Sequence, residues 1–249
     1  GSWLARFDIS DALRPDAFAA INALKALGCS VSLLSGDDPL VAQAIARQLG
    51  ISDAAGRETP QTKLARVAAL QAAGDWHAAT ARMVEAGQAL KRAGAEALVI
   101  CTNTMHKMAV DVEAGAGLPV LHIADATAAA IRTAGLLKVG LLATRFTMEQ
   151  DFYVGRMKER YGIEAIVPDE VGRGMVHQII YDELCKGVVT AASRQAYLGI
   201  IEGLVARGAR GIILGCTEVC MLIGQSDLKV PVFDSTALHA QAAVDWMMD

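Results

Sequence analysis

The sequence predicts an α/β protein whose parallel sheets are covered by helices on both faces. Short runs of β-branched and aliphatic residues alternate along the chain with segments in which apolar residues recur every three to four positions. Such alternation is typical of parallel strands connected by helices. The chain is 53% hydrophobic but only 5% aromatic, and this alanine- and glycine-rich composition favours helices packed closely on a sheet.

Most of the predicted elements follow residue 75. A helix is predicted from about residue 75 to residue 92, and predicted strands lie at residues 97–101, 118–124, 138–144, 164–168, 211–216 and 230–235. Upstream, the runs WLARFDI and SVSLLSG are predicted strands, each followed by a helix, and Pro39 is expected in the first turn of the second helix. The polar stretch from Ser52 to Lys63 is predicted to connect that helix to another at residues 61–73.

Charge and cysteine content exclude several classes of function. The net charge is −4 and no basic tract is present, so neither nucleic acid nor an anionic membrane is an expected partner. No apolar run approaches the roughly 20 residues of a membrane-spanning helix, so we expect a cytoplasmic protein that acts on a small molecule. The five cysteines follow no framework and are expected to be reduced thiols. The histidines lack the spacing of a metal site, and no metal is expected.

Two segments of the chain repeat one plan around a cysteine. LVICTNT contains Cys101, 18 residues before Pro119, and IILGCTE contains Cys216, 15 residues before Pro231. Both cysteines come at the carboxyl end of a predicted strand, where ligands of open α/β sheets bind. If the two segments face each other, two thiols flank one cleft.

Two facing thiols suit the exchange of the α-proton of an amino acid. Removing that proton from one face and returning one to the other face needs a base and an acid, and two cysteines can alternate in these roles without a cofactor. We expect helix N-termini after the two strands to lower the pKa of both thiols. The alternative is that a free cysteine only fills space in the core, which is our interpretation of Cys29, Cys185 and Cys220.

Five motifs follow one another after about residue 74: CTNTMHK, LPVLHIADAT, LLATRFTMEQDFY, GCTEV and PVFDSTALHA. In this order they resemble the aspartate/glutamate racemase superfamily, in particular its broad amino-acid racemases. The resemblance implies a cofactor-independent racemase in which Cys101 and Cys216 are the catalytic bases. Many relatives are dimers, and the sequence leaves open whether this chain forms a homodimer. The resemblance also implies substrate-binding roles for five polar residues: Asn103, Thr104, Thr144, Thr147 and Thr217. Turn formation and helix capping are the alternative roles of these side chains.

The first part of the chain resembles a different family. Within residues 3–72, DISDALRPDA, LLSGD, ARQLGI and PQTKLARVAALQ are similar to the phosphorylation domain of copper-transporting P-type ATPases, in the haloacid dehalogenase superfamily. The resemblance implies phosphate-binding positions at Ser35 and Lys63. Because the phosphorylated aspartate motif and the metal-binding motif of that superfamily are absent from the sequence, we expect these positions to be vestigial and to support no phosphoryl transfer.

The two resemblances together predict a chimera. In the racemase plan the chain would begin with βα units that carry substrate-binding loops, and the sequence has ATPase-like units in their place. The splice is predicted near residues 70–76. Gly1-Ser2, without an initiator Met, resembles the remnant of a proteolytic cleavage and favours an engineered origin.

The predicted organisation is that of two pseudo-symmetric lobes, racemase-like or flavodoxin-like. An N-lobe is predicted at residues 1–124, with 1–72 ATPase-like and 73–124 racemase-like, followed by a C-lobe at 125–236 and a C-terminal helix at 237–249 that returns to the N-lobe. The sequence is compatible with three functions. In the first, the chain is an engineered protein whose racemase site has little or no activity. In the second it is an active amino-acid racemase, and in the third it is a phosphate-binding module without catalysis.

Overall fold

The computed structural model describes residues 22, 32–34, 39–55 and 76–248. The chain divides into two compact units, one comprising Gly1–Arg82 with Arg92–Ala95 and the other comprising Met83–Lys91 with Glu96–Asp249. Both cysteine motifs and the strands that lead to them belong to the second unit. The predicted lobe boundaries at residues 124 and 236 stay predictions.

The described part of the first unit contains a parallel pair of strands and the helix between them. Strand β1 (Ser32–Leu34) pairs with β2 (Asp53–Ala55), and helix α1 (Pro39–Gln48) lies between them in the chain. Helix α1 begins at Pro39, as predicted, and the chain turns after it at Gly50, whose φ of 65° favours glycine. The polar stretch after Ser52 contains strand β2, which was not predicted from the sequence. Aspartate and alanine have low strand propensity, and pairing with β1 overrides that propensity.

Six described strands form the sheets of the second unit. Strand β3 (Leu98–Val99) pairs with β4 (Val120–Leu121). A four-stranded sheet in the order β6-β5-β7-β8 consists of β5 (Lys138–Ala143), β6 (Glu164–Ile166), β7 (Ile212–Gly215) and β8 (Val232–Asp234). Every pairing between these strands is parallel, which confirms the predicted α/β class.

Helices separate these strands along the chain. They are α2 (Trp76–Arg92), α3 (Ala109–Ala116), α4 (Ile123–Thr133), α5 (Arg145–Glu149), α6 (Asp151–Tyr161), α7 (Glu170–Asp182), α8 (Ala191–Ala206) and α9 (Ser235–Met248). Shorter 3-10 turns occupy Thr104–Met108, Leu184–Lys186, Val219–Met221 and Gln225–Asp227. Among the residues described, no helix combines the length and the apolar character needed to cross a membrane.

The strand predicted at residues 118–124 is shorter in the structure. Strand β4 ends at Leu121, because α4 begins two residues later at Ile123. The His122 side chain caps this helix, and its Nδ1 accepts a hydrogen bond from the Ala124 amide at 3.2 Å. An apolar run that continues from a strand into a helix therefore conceals the boundary between them.

The core of the second unit lies around β5 and β7. Val139, Leu141 and Ile212 are fully buried on these two neighbouring strands. Gly215, the last residue of β7, permits close packing. A Cβ atom at this position would lie 2.8 Å from Leu141 Cδ1 and 3.0 Å from Ala143 Cβ. The strand that leads to Cys216 is thus held tightly against its neighbour.

Candidate active site

The first motif cysteine follows β3, in a loop held by a histidine. Cys101 is exposed, and its Sγ lies 3.9 Å from the Val99 carbonyl oxygen. His106 Nε2 accepts a hydrogen bond from the Ile123 amide at 3.1 Å, so its Nδ1 carries the hydrogen and donates to the Thr102 carbonyl at 2.7 Å. The imidazole therefore ties the residue after Cys101 to the start of α4.

Asn103 connects this loop to β7. Its Nδ2 donates to Ser235 Oγ at 3.2 Å, and Ser235 Oγ donates to the Leu214 carbonyl at 2.7 Å. Asn103 and Ser235 are only 4% and 0% exposed. The second polar atom of the amide, Asn103 Oδ1, is buried and has no hydrogen-bond partner within the described part of the chain. This loop thus presents a buried acceptor that a bound donor can satisfy.

Three threonine hydroxyls form a buried cluster. Thr104 Oγ1 lies 3.0 Å from Thr144 Oγ1 and 3.2 Å from Thr147 Oγ1, and the last two atoms are 3.3 Å apart. Thr104 belongs to the first cysteine motif, whereas Thr144 and Thr147 lie at the junction of β5 and α5. Since each hydroxyl can donate as well as accept, the cluster offers donors to a bound carboxylate.

The second motif cysteine follows β7 directly and has a carboxylate partner. Cys216 is half-buried, and its Sγ donates to Glu218 Oε2 at 3.0 Å. The Thr217 hydroxyl donates to the same oxygen at 2.5 Å. Burial raises the pKa of the Cys216 thiol above its usual range, and the charge of the Glu218 carboxylate raises it further.

The prediction of a lowered thiol pKa was therefore wrong for Cys216. It assumed a helix N-terminus after the strand, but the segment that follows is a three-residue 3-10 turn, Val219–Met221. Such a short turn supplies little dipole. A carboxylate in contact with the sulfur opposes ionisation, because the thiolate would place a second negative charge beside it.

The structure places six of the predicted site residues in three separate sets of hydrogen bonds. Thr104 joins Thr144 and Thr147, while Asn103 reaches through Ser235 to the strand that precedes Cys216. Thr217 contacts Glu218 rather than the threonine cluster. The two phosphate positions implied by the sequence, Ser35 and Lys63, lie outside the described residues.

Sequence reasoning missed three residues of this region, although each lies in a motif that it singled out. They are His106, Glu218 and Ser235. Glu218 follows the repeated Cys-Thr immediately, and Ser235 is the last residue of a predicted strand, where polar side chains approach ligands. These two positions in the sequence could have identified Glu218 and Ser235 as candidate site residues. The hydrogen bonds of His106 to two separate backbone segments have no counterpart in a sequence pattern.

Three buried histidines pack together next to the Cys101 loop. The ring of His106 lies 4.6 Å from that of His122 and 5.4 Å from that of His239, measured between centroids. Burial lowers the pKa of His106 to about 4 and that of His122 to about 3, so both rings are neutral at pH 7. Over the described ranges, no group of three or more histidine, cysteine or acidic side chains could hold a metal ion. The histidines instead bond to the backbone, as His239 Nε2 does to the Leu121 carbonyl at 2.6 Å.

Comparison with known proteins relates most of the chain to one family. A family model described as Asp/Glu/Hydantoin racemase matches residues 59–243. The chain is similar to a Yersinia pestis protein assigned to the Asp/Glu racemases, with 49% identity and a TM-score of 0.71 over 84% of this chain and 90% of that one. It is also similar to an aspartate racemase homologue from Pyrococcus horikoshii OT3, with 29% identity and a TM-score of 0.67 over 88% and 98% of the two chains.

A second family model matches the first part of the chain. It is described as haloacid dehalogenase-like hydrolase and covers residues 2–79, so the two matches overlap at residues 59–79, which include the predicted splice. Copper-transporting ATPase 2 of Mus musculus and that of Rattus norvegicus are 43% and 41% identical to this chain over 63 residues. That stretch is 25% of this chain but only 4% of each ATPase. Both resemblances inferred from the sequence are thereby confirmed.

Proposed function

This chain belongs to the Asp/Glu/Hydantoin racemase family, and we propose that it racemises a small amino acid without a cofactor, with Cys101 and Cys216 as its proton-transfer groups. The observation that carries the proposal is the chain of hydrogen bonds from Asn103 through Ser235 to Leu214. It joins the loop that begins at Cys101 to the strand that precedes Cys216. Two groups that act on opposite faces of one carbon need such a fixed relation.

The proposed reaction takes one proton off the α-carbon and puts another on its opposite face. A thiolate on one cysteine removes the α-proton, so a C–H bond breaks, an S–H bond forms and the electron pair stays on the substrate, delocalised into its carboxylate. The thiol of the other cysteine then donates its proton to the α-carbon and becomes a thiolate. The two sulfur atoms and the substrate account for every proton and electron.

The substrate contacts in this proposal follow from the polar groups next to Cys101. The buried Asn103 Oδ1 accepts a hydrogen bond from the substrate ammonium group, which satisfies an atom that has no hydrogen-bond partner among the described residues. The hydroxyls of Thr104, Thr144 and Thr147 donate to the substrate carboxylate and help it hold the charge that develops when the α-proton leaves. Thr217 stays a predicted substrate contact, with its hydroxyl on Glu218 in the free protein.

Turnover in this proposal is slower than in intact relatives. Residues 2–79 match a haloacid dehalogenase-like model where the racemase plan has its first substrate-binding loops. A displacement of reacting groups by about 1 Å can lower a rate by about 10²-fold. We also propose that the chain is an engineered chimera. Its proposed location is the cytoplasm, where thiols stay reduced.

Exchange of the substrate α-proton with solvent tests the proposed function. Aspartate, glutamate and homoserine are incubated in D₂O with a high concentration of the full chain, and loss of the α-proton signal is followed by NMR. We expect slow exchange with at least one of them, and no exchange above the protein-free rate in Cys101→Ser or Cys216→Ser.

The matched control is Cys220→Ser, because serine keeps the hydrogen bond that Cys220 Sγ makes to the Thr217 carbonyl at 2.9 Å. This variant should exchange at the parent rate. Absence of exchange with all three amino acids would contradict the proposed activity. Exchange that survives both Cys101→Ser and Cys216→Ser would contradict the assignment of the bases.

A further inference from the structure

The two motif cysteines have different surroundings, and the difference assigns a role to a residue outside the predicted site. We propose that Glu218 is a positioning residue that keeps Cys216 in the protonated thiol form at rest, so that Cys216 donates the proton and Cys101 accepts it in the first half of the reaction. This inference rests on the proposed racemase function for its catalytic meaning. Its structural part concerns only the protonation of one thiol.

The geometry around Glu218 favours a thiol at Cys216. Both Cys216 Sγ and Thr217 Oγ1 donate to Oε2 of the carboxylate, at 3.0 Å and 2.5 Å. The second hydrogen bond anchors the carboxylate beside the sulfur. If Cys216 lost its proton, two negative charges would face each other at about the same distance in a half-buried place, where water screens them weakly.

Within the described part of the chain, the groups from other elements that face Cys216 do not offset this effect. Cys185 lies in the 3-10 turn Leu184–Lys186, and Tyr181 and Tyr197 approach from α7 and α8. Each of these side chains is neutral when protonated and negative when ionised. Burial raises the pKa of the Cys185 thiol and of the Tyr181 hydroxyl, which keeps both neutral. Glu218 is thus the charged group of this set, and it opposes the thiolate.

Among the residues that the structure describes, none places a carboxylate in contact with the Cys101 sulfur, and Cys101 is less buried than Cys216. It is exposed, and the contact of its Sγ is with the Val99 carbonyl oxygen, 3.9 Å away. Its proton can therefore exchange with water directly. In the first half-reaction the Cys101 thiolate takes the α-proton, and Cys216 donates its thiol proton to the opposite face. The thiolate left on Cys216 lies against Glu218, so it recovers a proton from solvent. Cys101 releases its proton to solvent, and the two cysteines return to their resting protonation states.

Alkylation of the individual cysteines as a function of pH tests this inference. The full chain is treated with iodoacetamide between pH 6 and pH 10, and the modification of each cysteine is quantified by peptide mass spectrometry. In the parent chain, half-maximal alkylation of Cys216 should require a higher pH than that of N-acetylcysteine. In Glu218→Gln, the alkylation rate of Cys216 at pH 8 should rise by about tenfold, since one unit of pKa is a tenfold change in thiolate. The rate of Cys101 should change by less than about twofold in the same variant.

Two matched variants separate charge from structure. Glu218→Asp keeps the carboxylate and should leave Cys216 as slow as in the parent. Glu164→Gln removes an equal charge from an exposed side chain that pairs with Lys138 at 3.1 Å, and it should not change the rate of Cys216. Equal Cys216 rates in the parent and in Glu218→Gln would overturn the inference.

The measurement on the parent chain is decisive even if Glu218→Gln does not fold. A midpoint for Cys216 at or below that of N-acetylcysteine would overturn the inference by itself. Alkylation needs no turnover, so its outcome is distinguishable from failure of the proposed function, which the exchange of substrate α-protons reports. Because burial also raises the pKa of Cys216, a raised midpoint supports the role of Glu218 only if it falls in Glu218→Gln. That result in a chain without racemase activity would support the role of Glu218 and contradict the proposed reaction.

Discussion

The loops after β3 and β7 carry the same Cys-Thr pair but hold it in different surroundings. Strand β3 is two residues long and leaves Val99 42% exposed, whereas all four residues of β7 are buried between β5 and β8. Cys101 is accordingly exposed, and Cys216 is half-buried against Glu218. A repeated motif thus indicates where two residues lie in a fold, while the burial of each strand end determines the chemical state of the residue.

The loops also differ in what stabilises them. His106 holds the Cys101 loop through hydrogen bonds to the Thr102 carbonyl and the Ile123 amide. Close packing holds the strand before Cys216, at Gly215. Changes in pH should therefore affect the first loop, and changes in side-chain volume should affect the second.

The largest expected effect concerns the histidines at the Cys101 loop. The pKa of His106 is lowered from its ordinary value, near 6.5, to about 4 by burial. Between these two values the unfolded chain binds a proton that the folded chain does not, so stability falls as the pH falls from about 7 to about 4. His106 alone should contribute on the order of 3 kcal/mol to this loss.

Urea unfolding at a series of pH values measures this effect. The control is His106→Gln, which does not titrate but can still donate to the Thr102 carbonyl. This variant should lose less stability than the parent between pH 7 and pH 4. The same pH dependence in both proteins would show that the folded chain does not keep His106 neutral.

The next effect concerns the packed strand before Cys216. In Gly215→Ala the new methyl group would lie 2.8 Å from Leu141 Cδ1 and 3.0 Å from Ala143 Cβ. We expect the free energy of unfolding to fall by about 2 kcal/mol, as measured by chemical denaturation, because the core must shift. Gly224→Ala is the matched control, since no atom of the described residues lies within 4 Å of the position that its new methyl group would take and its φ of −139° suits alanine. Equal stabilities of the two variants would contradict the tight packing of β7.

The link between the two loops should show a smaller effect on stability. Ser235→Ala leaves the Leu214 carbonyl and Asn103 Nδ2 without the hydroxyl that joins them. Loss of these buried hydrogen bonds should cost roughly 1.5 kcal/mol in chemical denaturation and should also slow substrate α-proton exchange. Thr133→Ala removes an exposed hydroxyl that donates to the Ala129 carbonyl and should do neither. A Ser235→Ala variant that matches Thr133→Ala in both measurements would show that the link has no role.

The last prediction concerns the part of the chain that is similar to copper-transporting ATPases, where we expect no phosphorylation. Incubation with acetyl phosphate or ATP and Mg²⁺ should leave the intact mass unchanged, because the sequence lacks the aspartate and metal-binding motifs of phosphoryl transfer. A stable, Mg²⁺-dependent gain of one phosphoryl group would overturn this expectation.

Much of this fold could be predicted from the sequence, because its strands are contiguous apolar runs. The run KVGLLA became β5 and GIILG contains β7, since buried parallel strands leave this signal. The strand β2 has no such signal in Asp53–Ala55, and its pairing partner lies in another part of the chain. Local pattern therefore identifies strands that bury their side chains, and it misses strands defined by backbone pairing alone.

The candidate site was predictable in position but not in detail. Cys101 and Cys216 could be placed at strand ends because both follow apolar runs in a repeated context. The hydrogen bond between Asn103 and Ser235 spans 132 residues, and the contact of Glu218 with Cys216 depends on side-chain conformation. Neither leaves a periodic trace in the sequence, so the raised pKa of Cys216 could not be foreseen.

The most direct test of the central claim is where deuterium appears when one pure enantiomer turns over in D₂O. If Cys101 and Cys216 act on opposite faces of the α-carbon, the product enantiomer should carry deuterium at that carbon from the first turnovers, while the recovered substrate enantiomer stays protiated. Chiral chromatography with mass spectrometry measures both species. Early product that retains the original α-proton would show that a single group removes and returns it, and would contradict a site built from two cysteines.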